Sequence, residues 1–211
     1  KGSQEVFVVH TYLSLLAKML AYNLLTRDDF IDEKEIEGIV KGTIFNSLNI
    51  QNFVDDDFFH WVVETENFNQ LKKVFRLIAQ KISDYDWSHV AEDILKGVYQ
   101  ELIDLETRHG LGEYYTPDWL CERIVNHLDI KQHSMILDPA CGSGSFLRAS
   151  IDCLRLKFPT LTGDQISKQV YGIDIHPLSV QISKTTMLLA LGNTIKESKR
   201  PVYLHVYLAN T

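Results

Sequence analysis

Residues 136–147, with the sequence Ile-Leu-Asp-Pro-Ala-Cys-Gly-Ser-Gly-Ser-Phe-Leu, decide the fold of this chain. They begin as a short apolar strand, turn at Asp138 and Pro139, and pass through small residues into an apolar-periodic helix. A strand, a glycine-rich turn and a helix start are typical of the ligand-binding edge of an α/β sheet. Gly142 and Gly144 allow the backbone to adopt positive φ or to approach a ligand closely.

The helix start after this turn offers further ligand-binding groups. Ser143 and Ser145 are predicted to accept hydrogen bonds from free N–H groups of the first helical turn. Those N–H groups and the helix dipole also favour an anionic group. A Gly-Ser-Gly turn by itself is equally typical of a tight strand-to-helix connection, so the functional interpretation depends on two neighbouring stretches.

These two stretches flank the glycine turn. Residues 112–117 read Gly-Glu-Tyr-Tyr-Thr-Pro, and residues 170–177 read Val-Tyr-Gly-Ile-Asp-Ile-His-Pro. Together, in this order and with a helix predicted after each, the three stretches resemble motifs X, I and II of the N6-adenine DNA methyltransferases of restriction–modification systems. Within these systems, the three stretches resemble in particular the type I modification subunits and the fused type IIG enzymes. The resemblance covers residues 108–192, and it implies a Rossmann-like fold that binds S-adenosylmethionine.

The resemblance also implies which residues contact this cofactor. Thr116 would offer its hydroxyl and N–H to the methionine carboxylate, and Asp138 would face the methionine amino group. Asp174 ends a strand, where an acid can accept both ribose hydroxyls, as in dinucleotide folds; Ile175 would pack on the adenine. The full set of predicted cofactor-binding residues is Tyr114, Tyr115, Thr116, Pro117, Asp138, Pro139, Ala140, Gly142, Ser143, Gly144, Phe146, Asp174 and Ile175.

No residue of this chain is predicted to be catalytic. The family carries a further motif, Asp/Asn/Ser-Pro-Pro-Tyr/Phe, which accepts the N–H groups of the flipped adenine and stacks on it. The chain has five prolines, and no two are adjacent. Cys141 has no base beside it in the sequence, so we interpret it as a small lining residue. We therefore expect a fragment that binds the cofactor but does not methylate DNA by itself.

Apolar periodicity divides the chain into two domains. Spacings of three to four predict helices at 4–25, 67–82 and 88–105, and hence a helical N-terminal domain over residues 1–107. Residues 108–211 are predicted to form a partial methyltransferase domain with a β-α-β-α-β order. Because such crossovers are right-handed, the strands at 134–138, 169–175 and 202–208 should form a parallel sheet.

Composition limits the partners and the compartment. The net charge of −7 argues against this segment gripping DNA by itself, because phosphate contacts need clustered Lys and Arg. The three cysteines lack C-x-x-C spacing, which is typical of reduced thiols in the cytoplasm rather than of disulfides or zinc. The acids at 55–57 are interpreted as the start of a helix and not as a metal site. No apolar run is expected to span a membrane.

Three other functions stay open. The chain could belong to a methyltransferase that acts on RNA or protein, or it could be a non-enzymatic assembly module. A dinucleotide oxidoreductase is disfavoured, because Phe146 and Leu147 stand where that motif needs its third glycine.

The resemblance implies DNA, bound mostly through parts outside this chain, and specificity and restriction subunits or fused domains as partners. In the family's strand order, 3-2-1-4-5-7-6, strand one lies between strands two and four. Without strand four, one edge of strand one would be unpaired, which favours self-association through this exposed sheet edge.

Overall fold

Contacts within the chain separate it into two compact units. The computed structural model describes residues 3–26, 32–54, 59–85 and 116–210. The first unit comprises residues 1–48 and 54–104, and the second comprises residues 49–53 and 105–211. The predicted domain boundary between residues 107 and 108 lies outside the described residues, so the division into 1–107 and 108–211 stays a prediction.

The described part of the first unit is helical. Its helices are α1 (Ser3–Thr26), α2 (Glu33–Lys41), α3 (Thr43–Ser47) and α4 (Thr65–Ser83), with a 3-10 turn at His60–Val63. Helix α2 begins with a capping box between Asp32 and Glu35, and it buries Ile36 and Ile39. Helices α1, α2 and α4 pack together in pairs. The helices predicted at 4–25 and 67–82 are confirmed, whereas the predicted helix at 88–105 and the acids at 55–57 lie outside the described residues.

Helix α1 corrects one expectation from composition. Residues Gln4–Thr26 form a helix that is long and apolar enough to cross a membrane by length and composition alone. The expectation that no segment reaches this length is therefore wrong. Within the structure, 67% of its most apolar window is buried. A core helix meets the same criteria, so the finding is weak as a sign of a membrane span.

The second unit contains a parallel sheet and its helices. Its elements are β1 (Ile50–Gln51), α5 (Asp118–His127), β2 (Ile136–Asp138), α6 (Ser145–Lys157), α7 (Gly163–Ser167), β3 (Val170–Asp174), α8 (Pro177–Leu191), a 3-10 turn (Gly192–Ile195), β4 (Val202–Tyr203) and β5 (Val206–Leu208). Strands β2, β3 and β5 pair in that order, all parallel. This confirms the predicted α/β class, with a helical N-terminal region followed by a parallel sheet that is flanked by helices.

The register of this sheet sets the position of the site. Asp138 is paired with Gly172, and Asp174 is paired with Leu208. Helix α6 packs on β2 and β3, while α8 packs on β3 and β5 and against α6. The carboxyl ends of β2 and β3 therefore lie side by side, directly before the starts of the two helices.

The predicted third strand at 202–208 is split in two. Residues Val202–Tyr203 pair with β1, and only Val206–Leu208 join the main sheet. Between them, the Asn52 side chain takes the place of a neighbouring strand. Its Oδ1 accepts the Leu204 N–H at 2.9 Å, and its Nδ2 donates to the Leu204 carbonyl at 3.0 Å. The buried Lys184 Nζ in turn donates to the Asn52 carbonyl at 2.7 Å.

Candidate functional site

The glycine turn closes tightly against the end of β3. Gly142 and Gly144 have φ values of +53° and +87°, a region that residues with a Cβ atom rarely adopt. The Cys141 N–H donates to the Ile173 carbonyl at 2.9 Å, and the Gly144 N–H donates back to the Cys141 carbonyl at 2.8 Å. The turn thus needs both glycines and is anchored on the neighbouring strand.

Asp174 ties the glycine turn to the end of β3 through its carboxylate. Its Oδ2 accepts the Gly142 N–H at 2.9 Å, and its Oδ1 accepts the His176 N–H at 2.8 Å. Each oxygen retains a further lone pair, because a carboxylate has about four acceptor sites. Asp174 can therefore hold the turn and still accept hydrogen bonds from a ligand.

Asp138 provides a second carboxylate at the same edge. Its Oδ1 accepts the Ala140 N–H at 3.1 Å. Burial raises the pKa of Asp138, the Ala140 N–H opposes this shift, and the negative charge of Asp174 adds to it. Within the described ranges no lysine or arginine pairs with Asp138 or Asp174. The edge therefore concentrates negative charge that only backbone N–H groups compensate.

The start of α6 differs from the sequence prediction. Ser143 and Ser145 do not cap α6; Gly144 is the N-cap residue, and no side chain caps this end. The Ser145 hydroxyl is buried and has no partner among the described residues. Helix α5 begins after Pro117, whose carbonyl accepts the first helical N–H groups and whose ψ of 139° is extended.

Ser183 and Thr186 contact the turn from α8, and sequence reasoning missed them. The Ser183 Oγ donates to the Gly142 carbonyl at 2.6 Å, and the Thr186 Oγ1 donates to the Ser143 carbonyl at 2.9 Å. Both side chains are buried. A Cβ atom on Gly144 would lie 3.2 Å from the Ser183 Cα. Several other polar side chains are buried in this helix, so no pattern in the sequence singled out Ser183 and Thr186.

The structure brings most of the predicted residues to one edge. The turn at 139–144 lies between Asp138 and Asp174, and the Ile175 side chain beside it is 64% exposed. Phe146 is half-buried in the first turn of α6. Tyr114 and Tyr115 lie outside the described residues. The individual roles assigned to these residues stay predictions.

Thr116 and Pro117 directly precede α5, which packs on α6. The Arg148 side chain of α6, 16% exposed, joins the two helices. Its guanidinium lies 3.0 Å from Glu122 and 3.6 Å from Asp118, both on α5. The helix that follows Thr116 is thereby fixed to the helix that follows the turn.

The cysteines contribute no reactive group. All three are free and buried. Burial raises the pKa of the Cys141 thiol to about 12, and the Ser183 hydroxyl lies 3.5 Å from its sulfur. A thiol with this pKa is protonated at neutral pH, so Cys141 is not a nucleophile. Over the ranges that the structure describes, no three His, Cys, Asp or Glu side chains are grouped as metal ligands.

A cleft lies away from the glycine-turn edge. It has a volume of about 620 Å³ and is lined by residues of α5, α6 and the 3-10 turn, among them Glu122, Asp152, Arg155 and Glu197. None of the predicted cofactor-binding residues lines it. Its central carboxylate, Asp152, lies 3.5 Å from Arg148 and 3.7 Å from Arg155. The charge of Asp152 in this cleft is therefore already paired with two guanidinium groups.

Comparison with known proteins places this arrangement in a family. A family model described as N-6 DNA methylase matches residues 90–201, just over half of the chain. The type I restriction enzyme EcoEI methylase subunit of Escherichia coli is 31% identical over 131 residues, which cover 59% of this chain and 27% of that protein. The type II restriction enzyme and methyltransferase RM.BcgI of Heyndrickxia coagulans is 28% identical over 123 residues, 56% of this chain and 19% of that protein.

A solved structure shares the fold. The type IIL restriction-modification enzyme MmeI, in complex with DNA, matches 100% of this chain and 37% of that chain with a TM-score of 0.55 and 18% identity. The chain spans about a quarter of the length of the EcoEI subunit. Because the family model covers more than half of its residues, the chain belongs to the N-6 DNA methylase family.

Proposed function

We propose that this chain binds S-adenosylmethionine at the glycine turn, and that the protein it represents transfers the methyl group to N6 of adenine in DNA. The observation that carries the proposal is the pair of carboxylates, Asp138 and Asp174, which flank the turn without a described cationic partner. S-adenosylmethionine carries an ammonium group, a sulfonium group and a ribose diol, so its charge and its donors fit this edge.

Each predicted residue then has a specific task in holding the cofactor. Asp138 receives the ammonium group, and Asp174 accepts the ribose hydroxyls while it holds the Gly142 N–H. The exposed Ile175 side chain covers one face of the adenine. Thr116 donates to the methionine carboxylate, and its position relative to the turn follows from the attachment of α5 to α6.

The chain's own residues bind and orient the cofactor and supply no acceptor for the adenine amino group. S-adenosylmethionine supplies an electrophilic methyl group on its sulfonium. The adenine amino group needs hydrogen-bond acceptors and a stacking aromatic, which the family provides in a Pro-Pro motif. That motif is absent from these 211 residues. We therefore propose that the chain binds cofactor without methylating DNA by itself.

The partners follow from charge and from family membership. With a net charge of −7, this chain contributes little of the basic surface that DNA needs. We propose that DNA is held mostly by other parts of the protein, and that specificity and restriction subunits or fused domains complete the system in the cytoplasm. The RNA and protein alternatives lose support, because the family model that matches the chain is described as N-6 DNA methylase.

Calorimetry tests the cofactor proposal directly. S-adenosylmethionine and NAD are titrated separately into the purified chain, with Asp174→Ala as the control. We expect heat of binding for the methyl donor alone, and its loss in the variant. Binding of NAD in preference, or equal binding of S-adenosylmethionine to wild type and Asp174→Ala, would contradict the proposal.

The free edge of β2 supports a proposal on self-association. Strand β2 is the last strand on one side of the three-stranded sheet, and Leu137 on it is 57% exposed. Unpaired backbone groups at such an edge favour pairing with another strand. We expect the sedimentation coefficient to rise with protein concentration. A monomer over the whole accessible concentration range would refute self-association and leave the cofactor proposal intact.

A further inference from the structure

The backbone of the glycine turn is almost completely hydrogen-bonded within the protein. The Gly142 N–H is held by Asp174, the Gly144 N–H by the Cys141 carbonyl, and the Gly144 carbonyl accepts the Arg148 N–H at 2.9 Å. Ser183 and Thr186 occupy the Gly142 and Ser143 carbonyls. Among the described residues the Ser143 N–H has no acceptor.

The direction of this free N–H follows from the planarity of the peptide bond. In a trans peptide the carbonyl of one residue and the N–H of the next point in opposite directions. The described peptide bonds include no cis bond. Because the Gly142 carbonyl points at the Ser183 hydroxyl on α8, the Ser143 N–H in the same peptide plane points away from α8. Gly142 and Ser143, which this peptide joins, are both half-buried.

Thr186 acts in the same way on the next peptide plane. The Ser143 carbonyl points at the Thr186 hydroxyl, so the Gly144 N–H points away from α8 and closes the turn on the Cys141 carbonyl. The two hydroxyls therefore set two consecutive peptide planes. The first plane leaves the Ser143 N–H free to donate to a ligand. The second closes the turn through the Gly144 N–H.

We propose that Ser183 and Thr186 are positioning residues that orient the glycine turn and direct the Ser143 N–H to the cofactor. This inference rests on the proposed function for the identity of the ligand, but the orientation of the turn does not depend on that identity. Neither hydroxyl touches the ligand. Each acts through a main-chain carbonyl more than 40 residues earlier in the chain.

The same helix contains a matched control. Thr185 is as deeply buried as Thr186, yet its Oγ1 donates to the Gln181 carbonyl of its own helix at 3.0 Å. Replacing either threonine with valine removes one buried hydroxyl from α8. Only the removal at Thr186 releases the turn. A comparison of Thr185→Val with Thr186→Val thus separates positioning from general packing.

The test combines amide hydrogen exchange without ligand and titration with S-adenosylmethionine. We expect Ser183→Ala and Thr186→Val to accelerate exchange across residues 141–147 and to weaken binding about 5- to 10-fold each, as the loss of one buried hydrogen bond implies. Thr185→Val and Thr186→Ser should remain within about twofold of wild type in both measurements. Circular dichroism verifies that each variant is folded.

Each possible outcome either supports or overturns the inference. Wild-type exchange across residues 141–147 in folded Thr186→Val would overturn it, and so would equal effects of Thr185→Val and Thr186→Val. Should Ser183→Ala fail to fold, the Thr186 pair decides the question. Should the wild type not bind S-adenosylmethionine, the proposed function fails, while the exchange data still decide whether the two hydroxyls orient the turn.

Discussion

The glycine-turn edge and the cleft beside α6 differ in how their charges are used. In the cleft, the carboxylate of Asp152 lies within 4 Å of two guanidinium groups, and Arg155 also donates to the Ala190 carbonyl at 2.6 Å. At the turn, Asp138 and Asp174 accept only backbone N–H groups from the described residues. The cleft has a volume of about 620 Å³, whereas Asp138 and Asp174 at the turn have no cationic partner among the described residues.

This difference teaches that the turn, unlike Asp152 in the cleft, has carboxylates without a cationic partner among the described residues. Burying a carboxylate without a cation is unfavourable, and a fold retains such a group where a ligand can compensate it. Burial raises the pKa of Asp152 as it does that of Asp138, but the two neighbouring arginines oppose the shift at Asp152. The carboxylates at the turn are thus the ones that a cationic cofactor would stabilise.

The largest expected effect is that of Asp174→Ala on cofactor binding. The substitution removes the acceptors for the ribose and releases the Gly142 N–H, so two charge-assisted hydrogen-bonding roles are lost together. We expect affinity for S-adenosylmethionine to fall by about 100-fold or more in calorimetry. Asp152→Ala in the cleft is the matched control. A larger loss for Asp152→Ala than for Asp174→Ala would reverse the comparison between the two regions.

Asp138→Asn should have an intermediate effect, of about 10-fold on affinity, because the amide still accepts from Ala140 but no longer attracts an ammonium group. Since binding needs the carboxylate, wild-type affinity should decrease as the pH falls through the raised pKa of Asp138. Affinity of the variant should vary less over that range. Titrations at several pH values check this. Parallel pH profiles of wild type and variant would exclude Asp138 as the ammonium partner.

The same variant has an opposite effect on stability. A carboxyl group whose pKa is raised in the folded state destabilises that state as the pH rises from the ordinary value of 3.8 through the raised pKa. Asp138→Asn should therefore raise the free energy of unfolding at neutral pH, and the gain should disappear in acid. Denaturant titrations at neutral and acidic pH measure it. A variant that is less stable at neutral pH would show that the charge is compensated within the protein.

A smaller effect is expected at Thr116. Loss of its hydroxyl in Thr116→Val removes one donor to the methionine carboxylate, which should weaken S-adenosylmethionine about fivefold. Thr116→Ser keeps the hydroxyl and should bind like wild type. Adenosine lacks the carboxylate, so its affinity should not distinguish the two variants. A similar loss for adenosine would mean that Thr116 acts on the fold and not on this group.

The smallest effect is expected in the cleft. Asp152→Asn lowers the negative charge beside Arg148 and Arg155 without touching the turn, so we expect less than a twofold change in the S-adenosylmethionine dissociation constant. Calorimetry under the conditions used for Asp138→Asn gives the comparison. A change as large as that of Asp138→Asn would mean that the cleft and the turn form one binding site.

The local pattern of the sequence predicted the parts of the fold that depend on neighbouring residues. The strand, turn and helix of residues 136–147 were predicted from a short apolar run, small turn residues and periodic apolar residues. The helix predicted after residues 170–177 is α8, Pro177–Leu191. The acids at the ends of β2 and β3 were found because a parallel sheet brings such ends together. These features need no knowledge of distant contacts.

The remaining features depend on pairs far apart in the chain. Asn52 pairs with Leu204, and Ser183 contacts Gly142, across separations that no local pattern encodes. The predicted serine caps of α6 were wrong because Gly144, at positive φ, forms the helix start with its own carbonyl. The buried hydroxyls of α8 became interpretable only when their partners were visible.

Amide hydrogen exchange with and without saturating S-adenosylmethionine tests the central claim most directly, since it reports where on the chain the cofactor binds. We predict protection in residues 138–147 and 172–176, with no change in residues 152–161 and 193–197 beside the cleft. Protection confined to the cleft segments would contradict the account and assign the cofactor to the cleft.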